Sequence, residues 1–172
     1  TAARTGEAIN TLQSEIDLKA AIWTVPGARM KAGRDHRVPL SDRALAIVRK
    51  RLKARDDKYL FPGLVRGEPL SNMAMLKLLS DLGWGEFTVH GFRSTFRDWA
   101  GDKTEFAREI IEASLAHIVG NEAEQAYRRS DALERRRALM QAWATYCSLK
   151  PGGNVLSFTG ASEGEGFERS IR

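Results

Sequence analysis

The chain reads Ala-Ile-Trp-Thr-Val at residues 21–25 and His-Arg-Val-Pro-Leu at residues 36–40, with the turn signal Pro26-Gly27 directly after the first run. The β-branched and aromatic residues of the first run favour a strand. In the second run polar and apolar residues alternate, which is typical of a half-buried strand. The pattern predicts a small antiparallel sheet, with Lys31 in or beside the loop between its strands.

Helical patterns dominate on both sides of this stretch. Ser41 is a candidate cap for a helix that carries Leu45, Val48 and Leu52, and Ser71 is a candidate cap for a second amphipathic helix. Further helices are predicted over about residues 5–12, 90–100, 105–115 and 131–149, with a short one before Tyr127. The predicted fold class is therefore mainly α with a small antiparallel β-sheet, an α+β arrangement.

Length and composition indicate one domain followed by a tail. The 172 residues are 42% hydrophobic and 28% charged, an ordinary globular mixture that is long enough to form a core. Residues 150–172 contain five glycines and equal numbers of acidic and basic residues. We expect a domain over residues 1–149 and a flexible tail over 150–172. The opening residues lack an initiator methionine, so we expect this domain to be truncated at its N-terminus.

Several classes of site are excluded by what the sequence lacks. A single cysteine, Cys147, excludes an internal disulfide framework and predicts a reducing, cytoplasmic location. No apolar run or opening segment matches a membrane span or a secretory signal. Phosphate-loop, zinc-protease, magnesium-type and serine-hydrolase motifs are also missing, so no cofactor or metal is expected. The net charge of +5 fits a nucleic-acid partner without requiring one.

One predicted helix carries the densest set of reactive side chains. His90 and Arg93 are three residues apart and share a helix face, and Phe92 and Phe96 form an adjacent apolar stripe that would anchor the helix. Two cationic donors near a helix N-terminus make an anion site, although a solvated polar face has the same spacing. Arg97 follows one turn after Arg93, and a salt bridge is its favoured interpretation.

A second group lies further along the chain. Leu115-Ala116-His117 precedes Tyr127 by ten residues. Taken alone, His117 fits a capping or core histidine, and Tyr127 fits half-buried packing. The arginines near Tyr127 fit either phosphate contacts or an exposed helix face. These arginines are Arg128, Arg129, Arg135, Arg136 and Arg137.

Four segments, in the same order, resemble the catalytic domain of the tyrosine recombinase (phage integrase) family, above all the integrases of prophages and genomic islands. The resemblance extends from the first residues to about Cys147. The last box often reads Leu-Gly-His in the family and reads Leu-Ala-His here, which keeps a small residue. The segments are Arg4-Thr5-Gly6-Glu7, Met30-Lys31-Ala32-Gly33-Arg34 through Arg37-Val38-Pro39-Leu40, His90-Gly91-Phe92-Arg93, and Leu115-Ala116-His117 with Tyr127-Arg128-Arg129.

The resemblance implies transesterification of a DNA phosphodiester without metal or ATP. Tyr127 would attack the phosphorus and form a 3′-phosphotyrosine intermediate. Arg4 and Arg93 would clamp the non-bridging oxygens, on which negative charge develops in the transition state. Lys31, on its hairpin, would be the general acid for the departing 5′-oxygen.

The resemblance also implies three supporting residues and a set of partners. His117 would donate to a phosphate oxygen, His90 would assist proton transfer near the nucleophile, and Glu7 would orient neighbouring catalytic groups. The partners implied are double-stranded DNA attachment sites and a homotetramer on DNA, with accessory DNA-bending or directionality proteins. The location implied is the bacterial cytoplasm, at the nucleoid.

Alternatives from other classes remain open. The chain could be a non-catalytic DNA-binding or regulatory remnant of an integrase, a relative of type IB topoisomerases, or a plain helical interaction domain. Among the other aromatic and histidine residues, Tyr59 is interpreted as structural, and Tyr146 as core packing on a helical stripe with Leu139 and Trp143. His36 is interpreted as a strand or DNA-backbone residue and not as a catalyst.

Overall fold

Helices are the main regular structure of the described chain, which in the computed structural model comprises residues 1–54, 57–117 and 132–149. The predicted class, mainly α with a small antiparallel sheet, is confirmed. The short helix predicted before Tyr127 and the tail at 150–172 lie outside the described residues. The helices are α1 (Thr5–Ile9), α2 (Asp42–Ala54), α3 (Ala74–Asp81), α4 (Val89–Lys103), α5 (Arg108–Ser114) and α6 (Leu133–Ser148), and the strands are β1 (Ile16–Asp17), β2 (Ile22–Val25) and β3 (His36–Pro39).

The three strands form one antiparallel sheet in the order β1-β2-β3. Trp23 pairs with Val38 and Val25 pairs with His36, as expected for the predicted hairpin. The side chains of Trp23, Val25 and Val38 are all buried, because residues two apart in a strand face the same side. Lys31 lies in the connection between β2 and β3, as predicted. Strand β1 is only two residues long and carries no alternating pattern, so the sequence did not predict it.

Among the described residues, apolar side chains form two clusters beside helix α6. The first joins the sheet to α2 and includes Trp23, Val38 and Val48. The second joins α4, α5 and α6 and includes Phe96 and Leu139, both fully buried. Because α6 packs against β3, α2, α4 and α5, it holds the sheet side and the helical side of the molecule together.

Two serines were predicted to cap helices, and their hydrogen bonds show that one of them does so. The Ser41 hydroxyl accepts from the amide of Ala44 at 3.3 Å, so Ser41 caps α2 as predicted. Ser71 was expected to cap the second helix, but α3 begins at Ala74 with Met73 at its cap position and no side-chain cap. The Ser71 hydroxyl instead accepts from the amide of Met73 at 3.2 Å, before the helix begins. None of the described helices has the length and apolar character needed to cross a membrane.

The first predicted helix is shorter than expected. The sequence predicted a helix over residues 5–12, but α1 ends at Ile9. The backbone of the next residues pairs with a distant segment instead, since Leu60 donates its amide to Thr11 and Leu12 forms an antiparallel bridge with Tyr59. These pairings satisfy backbone groups that helix continuation would otherwise use. Tyr59 thus pairs its backbone with Leu12, which agrees with the structural role predicted for it.

Two aromatic predictions were wrong. Phe92 was expected to anchor α4, but its side chain is 53% exposed. The buried face of α4 consists of Arg93, Phe96 and Ala100, and Phe92 lies at the edge of that face in the first turn. Tyr146 was expected in the core but is 49% exposed, because it lies in the last turn of α6 and stacks on the outer side of Trp143 at 5.6 Å.

The arginine run on α6 has a structural member that the sequence did not distinguish. Arg136 is only 2% exposed, and its Nη2 donates to the carbonyl of Arg37 in β3 at 2.7 Å. By contrast, Arg135 is 63% exposed and lies 3.8 Å from Glu109. A buried guanidinium is stabilised only when it is hydrogen-bonded, so Arg136 fastens α6 to the sheet.

Arg136→Ala is therefore expected to lower the free energy of unfolding by about 3 kcal/mol, since it opens a cavity and leaves the Arg37 carbonyl without this donor. The matched variant Arg135→Ala is expected to change it by less than about 0.5 kcal/mol. Urea unfolding followed by circular dichroism measures both. Equal effects of the two substitutions would contradict this role for Arg136.

Candidate active site

Arg93 is the central group of the candidate site. It lies in the second turn of α4, a helix capped by Thr88, whose hydroxyl accepts from the amide of Gly91 at 3.1 Å. Arg93 is 7% exposed, and its two terminal nitrogens donate to the carbonyls of Ala2 and Leu115. These bonds bring the N-terminal segment and the end of α5 to the same place.

Arg4 and Glu7 form the second part of the site. The Arg4 backbone amide donates to Glu7 Oε2 at 2.8 Å, and Arg4 Nη1 donates to Glu7 Oε1 at 2.7 Å. Glu7 is only 8% exposed. Burial opposes its ionisation, but the hydrogen bonds from Arg4 and the charges of Arg4 and Arg93 outweigh that effect and lower its pKa. A charged carboxylate therefore orients Arg4 beside Arg93.

Several charged side chains lie close enough to Arg93 to affect its pKa. Burial lowers the pKa of Arg93, and the positive charge of Arg4 acts in the same direction, while Glu7 and Glu112 oppose them. The guanidinium groups of Arg4 and Arg93 repel each other, and an anion that binds between them would relieve this repulsion.

His117 forms the third part of the site, together with a carboxylate on α5. His117 Nε2 lies 3.1 Å from Arg93 Nη2, and His117 Nδ1 lies 2.6 Å from Glu112 Oε2. The other oxygen of Glu112 accepts from Arg97 Nε at 3.1 Å, so Arg97 forms the salt bridge that its spacing favoured. Arg93, His117, Glu112 and Arg97 are thus linked in one network.

A left-handed residue turns His117 toward this network. Ala116 has a φ of 49°, and the amide of His117 donates back to the carbonyl of Glu112 at 3.0 Å. Glycine adopts this conformation without steric cost, whereas alanine is strained there. The geometry explains why a glycine at this position, as in Leu-Gly-His, suits the turn.

The residues of this site lie in a segment that matches a known protein family. The model of the phage integrase family matches residues 1–134, a range that includes Arg4, Lys31, Arg93, His117 and Tyr127. The chain belongs to the phage integrase family. The family comprises the tyrosine recombinases, as the resemblance of the four segments implied.

Relatives of this integrase-family chain share its sequence along most of its length. It is 38% identical to prophage integrase IntA of Escherichia coli K12, over 91% of this chain and 38% of that protein. It is 35% identical to prophage integrase IntZ of the same organism, over 90% of this chain and 39% of that protein. The chain therefore spans about two fifths of the length of these curated relatives.

A solved structure has the same fold. The crystal structure of XerA recombinase matches with a TM-score of 0.55 and 20% identity, over 87% of this chain and 55% of that one. At this level of identity the likeness concerns the fold alone.

The structure brings together four of the seven residues predicted for the site: Arg4, Glu7, Arg93 and His117. Lys31 and His90 are exposed and lie outside this hydrogen-bonded group. Tyr127 lies outside the described residues. Within the described ranges, no three His, Cys, Asp or Glu side chains cluster as a metal site would require.

Sequence reasoning missed two members of the site. Glu112 is one of them, and its signal was an acidic residue inside the apolar run between Ile111 and Leu115. His36 is the other. It is half-buried on β3, with its Nε2 3.4 Å from Arg136 Nη2, and no sequence pattern marked it as facing the arginines.

The environment of His36 has a measurable consequence for stability. Burial, followed by the positive charges of Arg136, Arg93 and Arg4 against the opposing charge of Glu7, lowers the pKa of His36 from 6.5 to about 4. The unfolded chain binds a proton at this residue near pH 6.5, while the folded chain resists it down to about pH 4. Stability from this group is therefore lost as the pH falls through that window.

Between pH 7 and pH 4.5, this residue is expected to remove roughly 2–3 kcal/mol from the free energy of unfolding. The variant His36→Gln keeps an acceptor but cannot gain a proton, so its stability should fall less over the same interval. His90→Gln, at an exposed histidine, should follow the wild type. Urea titrations at both pH values measure the free energy of unfolding. An equal loss of this free energy between pH 7 and pH 4.5 in the wild type and in His36→Gln would contradict the prediction.

Proposed function

We propose that this chain is the catalytic portion of a site-specific DNA recombinase, with its catalytic domain in residues 1–149 and a tail in 150–172. It cleaves and rejoins DNA strands through a 3′-phosphotyrosine intermediate, in the integration or excision of a prophage or genomic island. The observation that carries the proposal is the convergence of Arg4, Arg93 and His117 from three separate segments, with two buried carboxylates supporting them.

The arginines and the histidine suit a phosphodiester in the transition state. Arg4 and Arg93 each carry a planar, positively charged guanidinium that can bind two oxygens at once. When Tyr127 attacks, negative charge grows on the non-bridging oxygens, and donors already held in place stabilise it without reorganisation. His117 Nε2, adjacent to Arg93, adds a third donor to the same oxygens when protonated.

Lys31 and His90 supply the proton transfers in this proposal. Lys31 lies exposed in the β2–β3 connection, where a flexible ammonium can reach the departing 5′-oxygen and protonate it. His90, exposed in the first turn of α4, assists proton removal from Tyr127. Because the phosphotyrosine conserves the energy of the broken bond, the reaction needs no ATP. The charge on the phosphate oxygens, which a metal could otherwise stabilise, is stabilised by Arg4, Arg93 and His117 in this proposal.

The proposed partners follow from the family and the charge of the chain. The substrate is a double-stranded DNA attachment site, and the working assembly is a homotetramer on DNA. Accessory DNA-bending or directionality proteins would control the direction of the reaction. The proposed location is the bacterial cytoplasm, on the nucleoid.

Strand transfer between two duplexes tests the recombinase proposal. Nicked duplexes tiled across the junction of the element that encodes this chain are incubated with a second, labelled duplex, using this chain and any longer gene product that contains it. Joining to the second duplex supports a recombinase. Religation only to the original strand indicates a topoisomerase, and DNA binding without any cleavage indicates a non-catalytic integrase remnant.

A further inference from the structure

Glu112 is a buried acid with partners on two other segments. It is 6% exposed and belongs to the helix that contributes Ile110 and Ile111 to the apolar core. One carboxylate oxygen is 2.6 Å from His117 Nδ1, and the other accepts from Arg97 Nε at 3.1 Å. A buried carboxylate destabilises the fold unless it is hydrogen-bonded, and the bonds to His117 and Arg97 offset this cost for Glu112.

The ionisation state of Glu112 determines which ring nitrogen of His117 carries the proton. Burial opposes its charge, but the hydrogen bond from His117 and the charge of Arg97 outweigh burial and lower its pKa. An ionised carboxylate can only accept hydrogen bonds, so His117 must carry its proton on Nδ1. In a neutral imidazole Nε2 is then an acceptor, in agreement with the Arg93 donor 3.1 Å away.

This arrangement cannot be the one that contacts a phosphate. A phosphate oxygen needs a donor, so His117 must gain a second proton, on Nε2, from solvent. The charged groups that face it are Arg93 and Arg97 on α4, which disfavour this proton, and Glu112 on α5, which favours it. From α6, Arg135 faces Glu109 instead.

Resting on the proposed function, we propose that Glu112 is a positioning residue of the active site. It fixes His117 in the Nδ1-protonated form with Nε2 toward Arg93. It also serves as the counter-ion that lets Nε2 take a proton when a DNA phosphate enters. Glu112 itself does not touch the substrate.

The first test detects the tautomer and needs no DNA. Long-range proton–nitrogen correlation spectra of the ¹⁵N-labelled 172-residue chain report which ring nitrogen of each histidine carries the proton. The chain has three histidines, so a His117→Gln variant assigns the signals of His117. We expect Nδ1 protonation in the wild type at neutral pH. An Nε2-protonated His117 in the wild type would overturn the proposal.

Two variants on the same helix separate positioning from general charge loss. Glu112→Gln keeps the shape but not the charge and is expected to give a mixture of tautomers. Glu109→Gln removes an exposed acid from the same helix and is expected to leave the spectrum of His117 unchanged. A Glu112→Gln spectrum identical to the wild type would overturn the proposal.

The second test is the pH profile of DNA cleavage. Glu112→Gln removes the carboxylate that pairs with His117 Nδ1, so it is expected to cleave about tenfold more slowly than wild type at pH 8, with a smaller deficit at pH 6. Glu112→Asp, which restores the charge, should recover part of the loss at pH 8. A deficit that is constant with pH, or no deficit, would overturn the proton-uptake step.

The two tests distinguish failure of this inference from failure of the proposed function. If neither this chain nor a longer gene product that contains it cleaves DNA, but the chain shows the expected tautomers, the recombinase proposal fails and the pairing of Glu112 with His117 stands. If the wild type cleaves DNA and Glu112→Gln matches it at every pH, the recombinase proposal stands and the role of Glu112 fails.

Discussion

Arg93→Lys is expected to slow covalent cleavage of DNA by about a hundredfold, a loss of roughly 3 kcal/mol of transition-state stabilisation. Lysine keeps the charge but replaces a planar fork by a single ammonium, which cannot hold two phosphate oxygens in one plane. It also cannot reproduce the bonds that Arg93 makes at once to the carbonyls of Ala2 and Leu115. The rate of covalent complex formation on a nicked duplex, under single-turnover conditions, measures the effect.

The control for this prediction is Arg135→Lys, at an arginine that is 63% exposed and paired with Glu109 on the surface. It should cleave DNA at the wild-type rate. Circular dichroism and the unfolding midpoint establish that Arg93→Lys is folded under the assay conditions. A folded Arg93→Lys protein with the wild-type rate would contradict a clamp on the phosphate.

Tyr127→Phe is expected to abolish covalent complex formation, to below about one thousandth of the wild-type level, because it removes the oxygen that attacks phosphorus. Noncovalent DNA binding should persist, since this change leaves the arginines in place. Gel electrophoresis under denaturing conditions measures the covalent product, and a mobility shift measures binding.

The chain provides two matched controls, since it contains three tyrosines. Tyr59 lies in the bridge with Leu12, and Tyr146 stacks on Trp143. Tyr59→Phe and Tyr146→Phe remove the same hydroxyl from each and should retain covalent cleavage. If Tyr127→Phe still formed the covalent complex, the nucleophile would be a different residue.

The parts of the fold that the sequence predicted well depend on local patterns. The hairpin around Lys31 was predicted because the alternation that buries Trp23, Val25 and Val38 is visible in the residues themselves. The start of α2 was predicted because a serine cap is a local feature. The predicted burial of Phe92 and Tyr146 was wrong because residues at helical spacing are buried only where another element covers them.

The site was predictable only in part, for a similar reason. Sequence order and family resemblance indicated Arg4, Arg93 and His117, but the carboxylate that pairs with His117 could not be predicted by spacing. That pair depends on the left-handed conformation of Ala116, which reverses the chain onto α5. His36 reaches the arginines only because β3 packs against α6, a contact between residues about a hundred positions apart.

The central claim, that Tyr127 is the nucleophile of a metal-free DNA cleavage, is tested most directly by locating the covalent bond. The wild-type protein is incubated with a nicked junction duplex in EDTA, the complex is digested with nuclease and trypsin, and the peptides are analysed by mass spectrometry. The account predicts a nucleotide attached through its 3′-phosphate to the peptide that contains Tyr127. A nucleotide on another residue, or a protein that binds the duplex without any covalent product, would contradict it.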